Sequence, residues 1–185
     1  MRLFIASTFP TAAIALLSER VAGAKPRLPP ASWVRAESQH LTFAFLGEQR
    51  PSAVDAVAPL LRERLATIEA FTGELRGCGF FPNARHARVG WVGAEPRDRF
   101  VEVARAVRDA ISDAGIELDG KEFQPHLTVM RIRDRWPPQA IEIFENALRE
   151  FISPQFRVDR ATLFSSKLSS NGAIHTPMHE FPLAS

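Results

Sequence analysis

At 185 residues the chain has the size of one domain, or of two small lobes sharing a core. Its 45% hydrophobic and 24% charged content excludes the disordered and fibrous classes, and a lone cysteine, Cys78, excludes an internal disulfide and a paired-cysteine zinc site. With 23 basic against 21 acidic residues the net charge is only +2, too little for the whole-protein field to recruit a polyanion, so any nucleic-acid contact has to be local.

In chain order, Leu3-Phe4-Ile5-Ala6 reads as a strand, and Pro10 opens a helix whose Ile14, Leu17 and Val21 share a stripe. A Pro- and Arg-rich loop follows from Lys25 to Pro30. Residues 52–68 predict a second helix, with Val54, Val57, Leu61, Leu65 and Ile68 on one face and Pro59 expected to kink or shorten it. The third helix carries Phe100, Val103, Val107, Ile111 and Ala114 and ends at Gly115, where a left-handed cap fits. The fourth starts after Pro137-Pro138 and carries Ile141, Phe144, Leu148 and Phe151. Strand-like runs fall at 40–46, 70–77, 87–93, 123–131, 156–164 and 173–183. Short links between them, such as Gly77 to Asn83, permit antiparallel pairing, and the whole predicts an α+β fold.

His-Leu-Thr occurs twice, at His40-Leu41-Thr42 and His126-Leu127-Thr128, each opening an alternating run. Side chains alternate faces along a strand, so His40 and Thr42 project together, while Leu41, Phe43 and Phe45 are expected to face the core. The same parity pairs His126 with Thr128 and sends Leu127 and Val129 inward. Each strand thus offers an imidazole beside a hydroxyl, the pattern of an internal duplication. Opening a cyclic phosphodiester needs water deprotonated on one side of phosphorus and a leaving oxygen protonated on the other. Two imidazoles titrating near neutrality can do both, and the threonine hydroxyls can hydrogen-bond the non-bridging oxygens, with no metal or cofactor required. Taken singly, a strand histidine is more often a packed or surface residue, and it is the repetition of the pair that shifts the balance.

These two motifs, His40-Leu41-Thr42-Phe43 and His126-Leu127-Thr128-Val129, resemble the paired His-x-Thr-x signatures of the two-histidine phosphoesterase superfamily. Further stretches, Met1 to Ala6, Trp33-Val34-Arg35, Phe43 to Glu48, Phe80-Phe81-Pro82-Asn83, Phe123-Gln124-Pro125-His126 and Phe181-Pro182-Leu183, are similar to its RNA 2′,3′-cyclic phosphodiesterase branch, also called 2′-5′ RNA ligase-like. The resemblance implies one bilobal, pseudo-symmetric domain over 1–185, two antiparallel sheets with flanking helices around a cleft. It also implies His40 as proton donor to the leaving 3′ oxygen, His126 as the base that activates water, Thr42 and Thr128 as phosphate holders, and a 2′-phosphate product. Arg131 matches a phosphate-contacting basic residue of the family. By strand parity, however, it falls on the wrong face, so a bulge or a strand end has to turn it inward.

Two positions depart from the family pattern: Ser165-Ser166 replaces a Glu-Ser pair, and His175 stands where an aromatic such as Tyr is common. Both bear on base or ribose recognition. His86, His175 and His179 lack carboxylates or cysteines at ligand spacing, so no metal site is expected. Cys78, between Gly77 and Gly79, reads as a small buried thiol at a turn, and Trp33, Trp91 and Trp136 as core residues rather than base-stacking ones. The lone cysteine, with no signal peptide or apolar anchor in view, fits a reducing, cytoplasmic setting, and a monomer is expected. The substrate class expected is an RNA end carrying a 2′,3′-cyclic phosphate, with reverse 2′-5′ joining as a companion reaction. A small cyclic nucleotide or cyclic ADP-ribose phosphate is the rival substrate, and a non-catalytic RNA-binding protein the rival class.

Overall fold

A computed structural model describes residues 1–169 and 172–185. Among these described residues nine strands and four helices follow in the order β1 (Arg2–Ser7), α1 (Thr11–Ala24), β2 (Ser32–Trp33), β3 (Leu41–Glu48), α2 (Ser52–Leu65), β4 (Phe71–Phe81), β5 (Val89–Glu95), α3 (Arg97–Asp113), β6 (His126–Arg131), α4 (Pro138–Leu148), β7 (Phe156–Val158), β8 (Arg160–Ser169) and β9 (Gly172–Pro182). They build two antiparallel sheets, β3-β1-β8-β9 and β2-β6-β5-β4-β7, so the fold is α+β with a helical layer behind each sheet. Helices α2 and α3 pack together behind the first sheet, and α1 and α4 pack together with α4 against β4 of the second. A single apolar core runs through both halves, with Phe43, Phe100, Phe144 and Phe181 among its fully buried side chains.

Amphipathic spacing accounts for the helices. Helix α3 buries Phe100, Val103, Val107 and Ile111 on one stripe and closes at Gly115, whose φ of +77° supplies the left-handed cap. Pro59 lies inside α2, which runs through it and stops at Leu65, three residues before the expected end, while Ile68 still reaches the core.

Two expectations change, and one element is new. The run 156–164 is two strands broken at Asp159, because β7 pairs with β4 in the second sheet while β8 crosses to β1 in the first. The segment from Gly77 is not a turn: β4 continues to Phe81 with a register slip between Arg76 and Cys78, and the reversal comes later, in the one-turn helix Ala84–His86. Cys78 is therefore a half-buried strand residue, and burial beside Glu145 pushes its thiol up to about 11, which makes it a poor nucleophile. Finally, the short strand β2 carried no sequence signal, two residues being too few for a period.

Candidate active site

The motif strands belong to different sheets, yet β3 and β6 come into contact where the sheets meet. Each motif histidine is oriented in the same way. His40 directs Nδ1 at the Ser38 carbonyl at 2.8 Å, and His126 directs Nδ1 at the Gln124 carbonyl at 2.7 Å, two residues back in each case. A backbone carbonyl can only accept, so Nδ1 carries the proton and Nε2 is the free position on both rings. The motif symmetry read in the sequence thus extends to the hydrogen bond that sets each tautomer.

Apolar rings replace water around both imidazoles. Phe4 stacks on His40 with centroids 4.8 Å apart, and Phe81 meets His126 edge-on at 4.8 Å. Phe4, Ala6 and Phe164 form a small cluster on the face of the first sheet away from the main core, with Phe4 and Phe164 stacked at 5.2 Å. Burial penalises an imidazolium, and it pushes His40 down to about 4. The Ser38 hydrogen bond works against this shift, and the positive charges of His175, Arg131 and His126 reinforce it. His126 is lowered from its ordinary value chiefly by burial, with Arg131 adding to the effect. Without an anion in the cleft, both histidines are neutral at neutral pH.

Thr42 and Thr128 are half-buried and follow their histidines by two residues, opposite Ala6 and Trp91 of the neighbouring strands. Arg131 takes the bulge that its parity required. The β5–β6 ladder pairs Gly90 with Met130 and Trp91 with Thr128, leaving Val129 as the extra residue. Val129 and Met130 are both buried while Arg131 is exposed, and its charge is felt at both histidines. The same bulge has a second use, since the Val129 carbonyl accepts the Val34 N–H at 2.9 Å. Gln39 also donates to the Val34 carbonyl at 3.2 Å. The segment leading into His40 is therefore pinned to the second sheet, and this tie fixes one motif relative to the other.

Phe45 corrects the parity reading. The β1–β3 ladder slips at Phe43 and again at Leu46, so Phe43 and Ala44 both face the core and Phe45 turns outward, 62% exposed and 6.0 Å from Phe4. It lies on the His40 face. His175 is the other residue the sequence did not place here. On β9 its ring packs edge-on against both His40 (5.1 Å) and Phe4 (5.0 Å), and its buried Nδ1 has no hydrogen-bond partner among the described residues. Burial lowers its pKa as well. The one signal for it was the departure from an aromatic at that position. Of the tryptophans, Trp136 is buried and Trp33 is half-buried under the Lys25 ammonium (4.7 Å), whereas Trp91 lies beside the site, 5.3 Å from Phe81 and 6.4 Å from His126. Gly79 leaves room for it: a Cβ there would come within 2.4 Å of the indole.

Among the described residues no group of three His, Cys, Asp or Glu side chains is placed to hold a metal ion, and no helix is long and apolar enough to cross a membrane. What the arrangement offers is two tautomerically fixed imidazoles, two hydroxyls and a guanidinium, the set needed for metal-free acid–base chemistry on a phosphate.

Comparison with known proteins agrees with this reading. A Thermus thermophilus protein named RNA 2′,3′-cyclic phosphodiesterase is 34% identical, over 99% of this chain and 90% of its own length. One of the same name from Thermotoga maritima is 31% identical over 81% of this chain and 78% of its own. A crystal structure from Thermus thermophilus superposes with a TM-score of 0.78 at 26% identity, covering 99% of this chain and 98% of that one. E. coli LigT in complex with 3′-AMP shares the fold, with a TM-score of 0.75 at 23% identity over 100% of this chain and 98% of that one. The sequence profile of the 2′-5′ RNA ligase superfamily matches residues 9–169, and the chain belongs to that superfamily.

Proposed function

We propose that the chain hydrolyses the 2′,3′-cyclic phosphate at an RNA end to a 2′-phosphate, without a metal. The observation that supports this best is the matched pair of imidazoles on touching strands, each holding Nδ1–H on the carbonyl two residues back. Relatives named RNA 2′,3′-cyclic phosphodiesterase, from 26% to 34% identical, point the same way. His126, neutral at its Nε2, takes the proton of the attacking water. His40 gives a proton to the departing 3′ oxygen, and Thr42, Thr128 and Arg131 hold the non-bridging oxygens as charge grows on them.

The low pKa of His40 imposes an order on these steps. An acid that titrates at about 4 is empty at neutral pH, so it has to be charged by the substrate. A phosphodiester anion beside the ring favours the imidazolium, and binding is then coupled to uptake of one proton. When a 5′ hydroxyl takes the place of water, the same roles give 2′-5′ joining: His126 accepts the proton of the attacking hydroxyl and His40 protonates the departing 3′ oxygen. Phe45, exposed on the same face and separated from His40 by Phe4, is positioned to stack the terminal base.

The test is the product formed from an oligoribonucleotide ending in a 2′,3′-cyclic phosphate. A 2′-phosphate formed in excess chelator supports the proposal. A 3′-phosphate, or turnover that chelator abolishes and a divalent ion restores, refutes it.

A further inference from the structure

The mechanism uses Arg131 but leaves unexplained the arginines around it. At one end of the second sheet the β4–β5 connection, residues 82–88, meets the segment that follows β6, residues 131–137. Arg131 lies opposite Val89 in the ladder, the Ile132 N–H donates to the Arg88 carbonyl at 2.8 Å, and the Arg88 guanidinium donates to the Arg133 carbonyl. The two segments are thus fastened side by side. Between them they expose Arg85, Arg88, Arg131, Arg133 and Arg135, with Asp134 the one carboxylate.

A local excess of positive charge beside the candidate site sets this cluster apart from an ordinary solvated face. Five of the 23 basic residues and one of the 21 acidic ones sit in these two segments, so the rest of the chain is net acidic. None of these five guanidinium groups is ion-paired among the described residues. Desolvating unpaired guanidinium groups is worthwhile only with an anion to receive them, and their planar forks match phosphate oxygens.

Resting on the function proposed above, we infer that this end of the second sheet is a track for the phosphates that precede the cyclic end. The substrate class follows: the chain acts on the ends of single-stranded RNA in preference to free cyclic mononucleotides. A mononucleotide reaches Arg131 alone, while an oligonucleotide continues from Arg131 onto its neighbours.

The experiment compares kcat/KM for a short oligoribonucleotide ending in a 2′,3′-cyclic phosphate with that for the cyclic mononucleotide of the same base, in wild type and in the doubly charge-reversed Arg85→Glu, Arg133→Glu protein. Neither residue belongs to the reacting groups. If about three phosphates are held, log kcat/KM for the oligonucleotide falls with log salt at a slope of about −2, so going from about 50 to about 200 mM salt costs about 20-fold. The mononucleotide should respond far less. Charge reversal should remove the length preference and flatten the slope while leaving mononucleotide hydrolysis unchanged. Binding of the same oligonucleotide bearing a 2′-phosphate end, followed by fluorescence anisotropy, needs no turnover and should weaken in parallel. Should neither cyclic substrate be hydrolysed while charge reversal still weakens that binding, the catalytic proposal falls and the track stands. A length preference and a binding affinity that both survive charge reversal would overturn the track.

Discussion

The burial of His40 against Phe4 and His175 should be visible as a pH-dependent loss of stability. In the unfolded chain the imidazole titrates near 6.5, and in the fold it is pushed down to about 4, so between those values the unfolded state binds a proton that the native state refuses. The sign follows: this contribution is fully present above about pH 6.5 and is lost as pH falls toward 4. At about pH 4.5 the difference amounts to about 2.5 kcal/mol from this one group, a sizeable share of the total stability of a single domain. His40→Phe keeps an aromatic ring against Phe4 and removes the titration. Urea unfolding of both proteins at about pH 7.5 and about pH 4.5 gives the double difference, in which carboxylates and the other histidines cancel. Wild type should lose about 2–3 kcal/mol more than the variant across that interval. Adding inorganic phosphate at the lower pH should restore wild type selectively, since the anion favours the protonated ring. Equal pH dependence in the two proteins would mean that the fold does not penalise the His40 imidazolium, and the coupling of substrate binding to proton uptake would go with it.

Other outcomes test neighbouring links. Replacing His175 by Phe keeps the ring contacts with His40 and Phe4 but removes a positive charge that opposes protonation of His40; the titration assigned to His40 in kcat/KM should move upward in pH, and an unmoved profile would reduce His175 to packing. Gly79→Ala forces a methyl into the Trp91 indole and should cost about 1–3 kcal/mol by overpacking, readable as a lower unfolding midpoint. Thr42→Ala or Thr128→Ala removes one hydrogen bond to a charged oxygen and should lower kcat/KM by the equivalent of about 1.5–3 kcal/mol, checked by steady-state kinetics on the cyclic-ended oligonucleotide.

Much of this site was legible because its signals were local. Two His-x-Thr repeats with strand parity identify four side chains and the faces they occupy, and helical stripes place α1 to α4 within a few residues. What was hidden depends on register. Phe45 was assigned to the core by alternation, and the slips at Phe43 and Leu46 reversed it, since one extra residue moves every later side chain to the other face. For Arg131 the same reasoning worked in the opposite direction, because a family expectation conflicted with parity and so demanded the bulge found at Val129. His175 lies far from His40 in sequence and meets it only through β9 pairing with β8 and β8 with β1. The break at Asp159, which sends β7 and β8 into different sheets, likewise depends on partners that no local pattern encodes.

The division of labour between the two histidines is the centre of the account. Its most direct test is a substrate in which sulfur replaces the 3′ leaving oxygen, because a thiolate departs without a proton donor. Single replacement of either histidine by Ala should lower turnover of the oxygen substrate by about 100-fold or more. On the sulfur substrate, His40→Ala should recover most of the wild-type rate while His126→Ala stays impaired. Recovery by His126→Ala with His40→Ala still impaired would show the roles to be reversed, and recovery by neither would contradict acid–base catalysis by this pair.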